Sequence, residues 1–172
     1  HMPVSKFRKM LEGLKHHPIN EAKLMGMGEP MLHPQFDEIC KTFKEFFPDA
    51  FLIVATNCQY PIKPHTKMGK KFENCMKYID LLYFSIDGYK ESYERDRSPA
   101  KWSKLISFLD NFQYMDRHNC RVTCNYVVNP QNVYDIPLIQ ERIVEKVKEE
   151  IAVAKAEIPV IGMLVKELKS LA

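Results

Sequence analysis

Apolar and polar positions along this chain follow two periods, and the switches between them mark out its elements. Phe7, Met10, Leu11 and Leu14 recur at three and four residues with basic residues between them, which predicts a helix over Val4–Lys15. His16-His17-Pro18 ends it, and tandem histidines there read as polar helix-end residues rather than a metal pair. An apolar run, Ala22 to Met27, predicts a short buried strand. Ile39, Phe43 and Phe46 or Phe47 form a second helical stripe, opened near His33-Pro34 and stopped by Phe47-Pro48-Asp49. Phe51 to Ala55 is unbroken apolar sequence, as in a strand buried on both faces. A helix over Met68–Lys77 turns Phe72, Cys75 and Met76 inward, and Ile79 to Ile86 is a third strand. Trp102, Leu105, Phe108, Leu109 and Phe112 define an amphipathic helix over Trp102–Tyr114. Arg121 to Val128 is a fourth strand, in which Val122, Cys124, Tyr126 and Val128 alternate with Thr123, Asn125 and Val127. A last helix is expected from about Ile136 to Ala156, with Ile139, Ile143, Val144, Val147 and Ile151 inward. Ile158 to Ala172 reads either as a strand and a short helix or as one helix opened by Pro159, the latter weakened by Gly162.

Strands alternating with helices, and apolar throughout, imply an α/β fold with a mostly parallel sheet and right-handed crossovers. A chain of 172 residues suits one domain with a real core. A full eight-unit barrel takes about 250 residues, so only part of one, or a small open sheet, fits. The formal charge of +3 is too small to argue for nucleic acid. No apolar run spans a bilayer and no signal peptide is visible, which places the chain in the cytoplasm. Five cysteines, an odd number lying within apolar segments, read as free thiols in a reducing compartment. Cys120 and Cys124 are spaced so that a strand directs them to one face but far apart, and no CxxC pair exists. His1-Met2 reads as a cloning scar and is set aside.

Candidate chemistry gathers where the strands end. Gly28-Glu29-Pro30 follows the first strand. Glycine permits close backbone approach there, proline fixes the exit, and a carboxylate sits between them. In α/β sheets ligands bind at this end of the strands. The turn is equally readable as a ligand cradle or as an ordinary βα turn with a solvated Glu29. Thr56-Asn57-Cys58 ends the second strand, and Ser85-Ile86-Asp87-Gly88 the third. Asp87 suits a turn-shaping role as well as a ligand contact. Asn57 and Asn125 could serve to satisfy strand-end backbone groups. Arg95 and Arg97 could be solvated charges, and Trp102 and Tyr126 read as core.

These segments resemble, in order and register, the motifs of radical S-adenosylmethionine enzymes. Gly26-Met27-Gly28-Glu29-Pro30 with Met31-Leu32-His33-Pro34 resembles their "GGEP" turn, and Thr56-Asn57-Cys58 their "TNG". Ser85-Ile86-Asp87-Gly88 with Tyr93-Glu94 and Arg97 resembles their "SLDG…HD..R" segment. Asn125-Tyr126-Val127-Val128 with Asn132 resembles their fifth strand and the loop after it. The resemblance covers Ala22 to about Pro137 and implies a partial (β/α)6 barrel of TIM type with outer helices. It implies an S-adenosylmethionine site formed by Gly28, Glu29, Pro30, Asn57, Ser85, Asp87, Arg97 and Asn125. The Gly-Glu-Pro turn would hold the methionyl ammonium, and Ser85 would face the ribose or carboxylate. The chemistry implied is reductive cleavage by a reduced [4Fe-4S] cluster to a 5′-deoxyadenosyl radical.

The family holds its cluster on a CxxxCxxC loop after the first barrel strand, and this sequence contains no such loop. The expectation is therefore a core piece of such an enzyme, inactive as given and unable to bind the cluster. The alternative is a non-catalytic α/β binding or scaffold module on the same fold. An open-sheet nucleotide-binding domain is disfavoured, because neither GxGxxG nor GxxxxGK[ST] occurs. Cys58, standing where the family has glycine, is expected to line the pocket. The edge of the first strand would lie open and invite a homo-dimer. The substrate is not readable from the sequence.

Overall fold

The structure, a computed structural model, describes residues 1–146, with side chains described to residue 143. Helix α1 (Val4–Leu14) precedes β1 (Glu21–Lys23), and α2 (Phe36–Phe46) leads to β2 (Phe51–Thr56). Then come α3 (Lys67–Met76), β3 (Leu81–Ser85), α4 (Glu91–Asp96), α5 (Trp102–Phe112), β4 (Arg121–Asn125) and α6 (Ile136–Lys146). The strands form one sheet in the order β1-β2-β3-β4, and every pair is parallel. Sequential parallel pairing through crossovers of one hand returns the helices to one face. The result is an α/β arc of partial-barrel type with an outer helical layer. Among the described residues no helix is long and apolar enough to cross a membrane.

The two faces of the sheet differ in chemistry. Leu52, Val54, Leu82 and Phe84 alternate onto the helical side and are buried. There Phe84 meets the rings of Phe108 and Phe112 edge-on at 5.5 and 5.0 Å, and Phe72 meets Phe108 at 5.8 Å. Each such side chain contributes on the order of 1.5–3 kcal/mol by leaving water, and the edge-to-face rings add about 0.5–1.5 kcal/mol per pair. The opposite face carries Ala55, Tyr83 and Thr123 in one register row, with Ser85 and Asn125 in the next. These side chains are half-buried or exposed, so this concave face is open to a ligand. At the other end of the strands Asp80 closes the sheet. Its Oδ2 accepts from Leu52 N at 2.7 Å and from Lys44 Nζ at 2.7 Å.

The elements expected from the periodicity over the described residues are present, but several strands stop early. The first strand is Glu21–Lys23 rather than Ala22–Met27. Leu24 N still reaches Ile53 O at 3.0 Å, after which the chain leaves the ladder through Gly26 and Gly28. Gly28 adopts φ +109°, a conformation side chains resist. Pro30, not Pro34, opens the next helical turn, a single 3₁₀ turn over Pro30–Leu32, and α2 starts at Phe36. The fourth strand ends at Asn125 rather than Val128, because Asp87 takes the Val127 N–H. Ile139 and Ile143 are buried as expected. The expected continuation of α6 to Ala156, with Val147 and Ile151, and the segment Ile158–Ala172 lie outside the described residues.

Candidate functional site

The tips of the four strands are tied together by polar side chains that run between loops. Glu29 crosses from the turn after β1 to the end of β2. Its Oε2 accepts from Asn57 N at 2.7 Å and its Oε1 from Met31 N at 3.1 Å. The second bond also caps the 3₁₀ turn. Burial pushes the Glu29 carboxyl above its ordinary value, and the bonds from the Asn57 and Met31 amides oppose that rise. Glu29 is therefore a clip between two strand ends. Its cradle character lies in the backbone around it, where Gly28 sits at φ +109° and Met27 is fully exposed.

Asp87 is the corresponding clip between β3 and β4. One oxygen accepts from Val127 N at 2.8 Å, and the other receives the Arg97 guanidinium. Asn132 completes this side from a fully buried position. Its amide donates to Asp87 O at 2.8 Å and to Val127 O at 2.9 Å, and its Oδ1 accepts from Asn129 N at 2.7 Å. Tyr126 OH donates to Asn132 O at 2.6 Å.

Two of the sequence-derived candidates keep free polar groups. Ser85 and Asn125 are register partners at the ends of β3 and β4. The side chain of neither has a hydrogen-bond partner among the described residues, Ser85 being half-buried and Asn125 exposed. Asn57 holds its own loop, its Oδ1 accepting from Gln59 N at 2.9 Å. The eight candidates thus fall into three local sets: Gly28, Glu29 and Pro30 with Asn57; Asp87 with Arg97; and Ser85 with Asn125. All lie at the C-terminal end of the sheet. No hydrogen bond joins the first set to the other two among the described residues, though the charge of Arg97 is felt at Glu29. Gly28, Glu29 and Pro30 also line a cleft of about 660 Å³ on the β1 side, with Met25, Gly26 and Met27.

Cys58 does not line the pocket. It is fully buried against the helical core, and its backbone takes φ +58°. Glycine adopts that left-handed angle without strain, whereas a residue with a Cβ does not. Burial pushes its thiol well up, with the nearby Glu29 charge adding to the rise. Sequence reasoning did not foresee the support beneath the tips. Tyr93 OH accepts from Gln59 Nε2 at 2.9 Å and donates to Asn57 O at 3.4 Å, and burial pushes this phenol up to about 12. Asp135 accepts from Tyr89 N at 3.1 Å and from the Ser92 hydroxyl. Polar residues crowded into the loops after β3 and β4 were the available signal.

The residues fit the two implied groups unequally. The concave face offers the polar side chains of Ser85, Asn125 and Thr123 to a ligand, while the backbone around Gly28 lines the separate cleft on the β1 side. The five cysteines do not form a cluster site. None lies in a disulfide, four are buried, and Cys124 is half-buried against the core, where burial pushes its thiol up to about 12. Among the described residues no three potential ligands converge on a metal position.

No protein-family model and no curated protein matches the chain. Among solved structures it is similar to SuiB of Streptococcus suis, in a crystal structure bound to S-adenosylmethionine, with a TM-score of 0.62 and 17% identity. The match covers 84% of this chain and 32% of SuiB, so the chain spans about a third of that protein. At this identity the likeness shows a shared α/β fold.

Proposed function

We propose that this chain binds S-adenosylmethionine on the concave face at the C-terminal ends of its strands, as the substrate-activating part of a radical S-adenosylmethionine enzyme. The observation that carries the reading is positional. Four segments resembling that family's motifs fall at the tips of four successive parallel strands, in a fold shared with an S-adenosylmethionine-bound protein. On this reading the backbone after Gly28 meets the methionyl ammonium, and Ser85 and Asn125 meet the ribose or carboxylate. Glu29 and Asp87 hold the strand ends that present those groups. Bound S-adenosylmethionine would supply the sulfonium whose one-electron cleavage yields a hydrogen-abstracting radical. The iron–sulfur cluster for that step would be held outside the described residues. We also propose a cytoplasmic location, because an odd number of cysteines set within apolar segments suits a reducing compartment.

Calorimetric titration with S-adenosylmethionine tests the reading. Binding is expected, weakened about tenfold or more in Ser85→Ala and in Asn125→Ala, each removing about one hydrogen bond to a charged or polar group. Absence of binding, or unchanged affinity in both variants, overturns it. A non-catalytic module would show the same binding but no cleavage when a reduced cluster-bearing partner is supplied.

We also propose that β1 pairs with a second copy. It has one strand neighbour among the described residues, and Met25, Met27 and Leu32 are exposed beside its open edge. Light scattering over rising concentration should show a dimer that Met27→Lys dissociates. A monomer throughout ends this proposal.

A further inference from the structure

The outer side of the molecule carries a charged groove that the strand-tip site does not use. It has a volume of about 740 Å³ and runs between α3 and the turn that follows β1. His65, Lys67, Lys70 and Lys71 line it, against one carboxylate, Asp37. Lys71 is built into the wall, its Nζ donating to Met31 O at 2.6 Å and His33 O at 3.0 Å. Lys67 and Lys70 are exposed and have no ion-pair partner among the described residues. By contrast, Lys15, Lys23, Lys44 and Lys101 each meet a carboxylate.

These lysines also stand where helix electrostatics disfavours them. Both fall in the first turn of α3, which carries no acidic residue, whereas α2 and α4 open on Asp37 with Glu38 and on Glu91 with Glu94. The start of a helix is its positive end, so cations there repel it and an incoming anion relieves both. The groove floor is not purely polar. Met68 is half-buried and Leu32 is 53% exposed. Among the described residues no arginine, phenylalanine, tyrosine or tryptophan lines it, so it lacks the bidentate group and, apart from the small His65 ring, the stacking groups that single-stranded nucleic acid favours.

We propose that this groove docks an acidic peptide segment, its carboxylates on Lys67 and Lys70 and an apolar side chain on Leu32 and Met68. The groove opens at the same end of the sheet as the strand tips, since it joins the turn after β1 to the start of α3. A segment held there is led toward the concave face. The proposal does not depend on S-adenosylmethionine binding.

Fluorescence anisotropy with a labelled peptide of glutamates around one central leucine tests it on the whole chain. The comparison ligands are the glutamine version of that peptide and a single-stranded oligonucleotide of equal charge. The glutamate peptide should bind and weaken as salt rises. The double variant Lys67→Glu, Lys70→Glu should lose about tenfold or more in affinity, while Lys9→Glu on α1 should not change it. Glutamate in the first turn favours the helix, so the loss would not come from unfolding. Tighter binding of the oligonucleotide, equal binding of the glutamine peptide, or unchanged affinity in the double variant overturns the proposal.

Discussion

Asp87 accepts a hydrogen bond from Val127 N at 2.8 Å, and this bond ends β4 at Asn125, short of the Val128 where its apolar run ends. The same carboxylate holds Arg97 through its other oxygen. Asp87→Ala leaves a guanidinium and an amide without their acceptor in a largely buried setting. It should cost about 2–3 kcal/mol, read as a lower urea midpoint. Arg97→Ala, whose partner keeps the Val127 bond, should cost about half as much. Equal losses would show that the ion pair, not the Val127 bond, is the dominant tie.

Asn132 should be more sensitive than its polar loop position suggests. Asn132→Ala strips donors from two carbonyls, Asp87 O and Val127 O, and an acceptor from Asn129 N, all in a fully buried place. The expected loss is about 2–4 kcal/mol. Asn132→Asp should be at least as damaging, because it turns a carboxylate oxygen toward those two carbonyls. Urea unfolding of the two variants side by side checks the order.

The βα alternation was legible because Phe51–Val54 and Leu81–Phe84 are apolar runs of strand length whose burial follows from their place in mid-sheet. The strand ends were not. Leu24–Met27 and Val127–Val128 look like strand by hydropathy, yet Met27, Val127 and Val128 are exposed. Apolarity cannot report that an N–H has been taken by a side chain from another strand. For the same reason the sequence pointed to Glu29 and Asp87 but not to what they do. Each is a clip, one reaching 28 residues along the chain and the other 40. Asn132 and Tyr93 gave little signal because their partners are backbone carbonyls and amides in distant loops.

Cys58 offers a test of why a glycine suits this turn. At φ +58° any side chain with a Cβ is strained by about 1 kcal/mol or more. Cys58→Ala keeps that strain and loses the buried sulfur. Cys58→Gly loses one carbon more but relieves the backbone, so it should be no more destabilising than the alanine variant. A glycine variant clearly less stable than alanine, by thermal or urea unfolding, would mean that packing outweighs the backbone here.

Gly88 should tolerate no side chain, for a steric reason. A Cβ there would lie 2.6 Å from Tyr93 N and 2.5 Å from Ser92 Oγ, at the first turns of α4. The Ser92 hydroxyl is already engaged with Asp135, so it cannot swing away freely. Gly88→Ala should cost about 1–3 kcal/mol by overpacking. It should also weaken S-adenosylmethionine binding if Ser85 and Asp87 present the site, since the same turn carries both.

Glu29 gives a pH dependence with a definite sign. Its carboxyl is raised above the ordinary value near 4.5, mainly by burial. Between the ordinary and the raised value the folded chain still holds a proton that the unfolded chain has released. Folding stability from this group is then whole below the ordinary value and declines as pH rises through the raised one. Glu29→Gln removes that titration while keeping an acceptor for one of the two amides. The difference in urea-unfolding free energy, wild type minus Glu29→Gln, should therefore fall as pH rises from the ordinary value through the raised one and level off above it. A difference that rises over this range would mean that the Asn57 and Met31 amides stabilise the carboxylate by more than its burial costs.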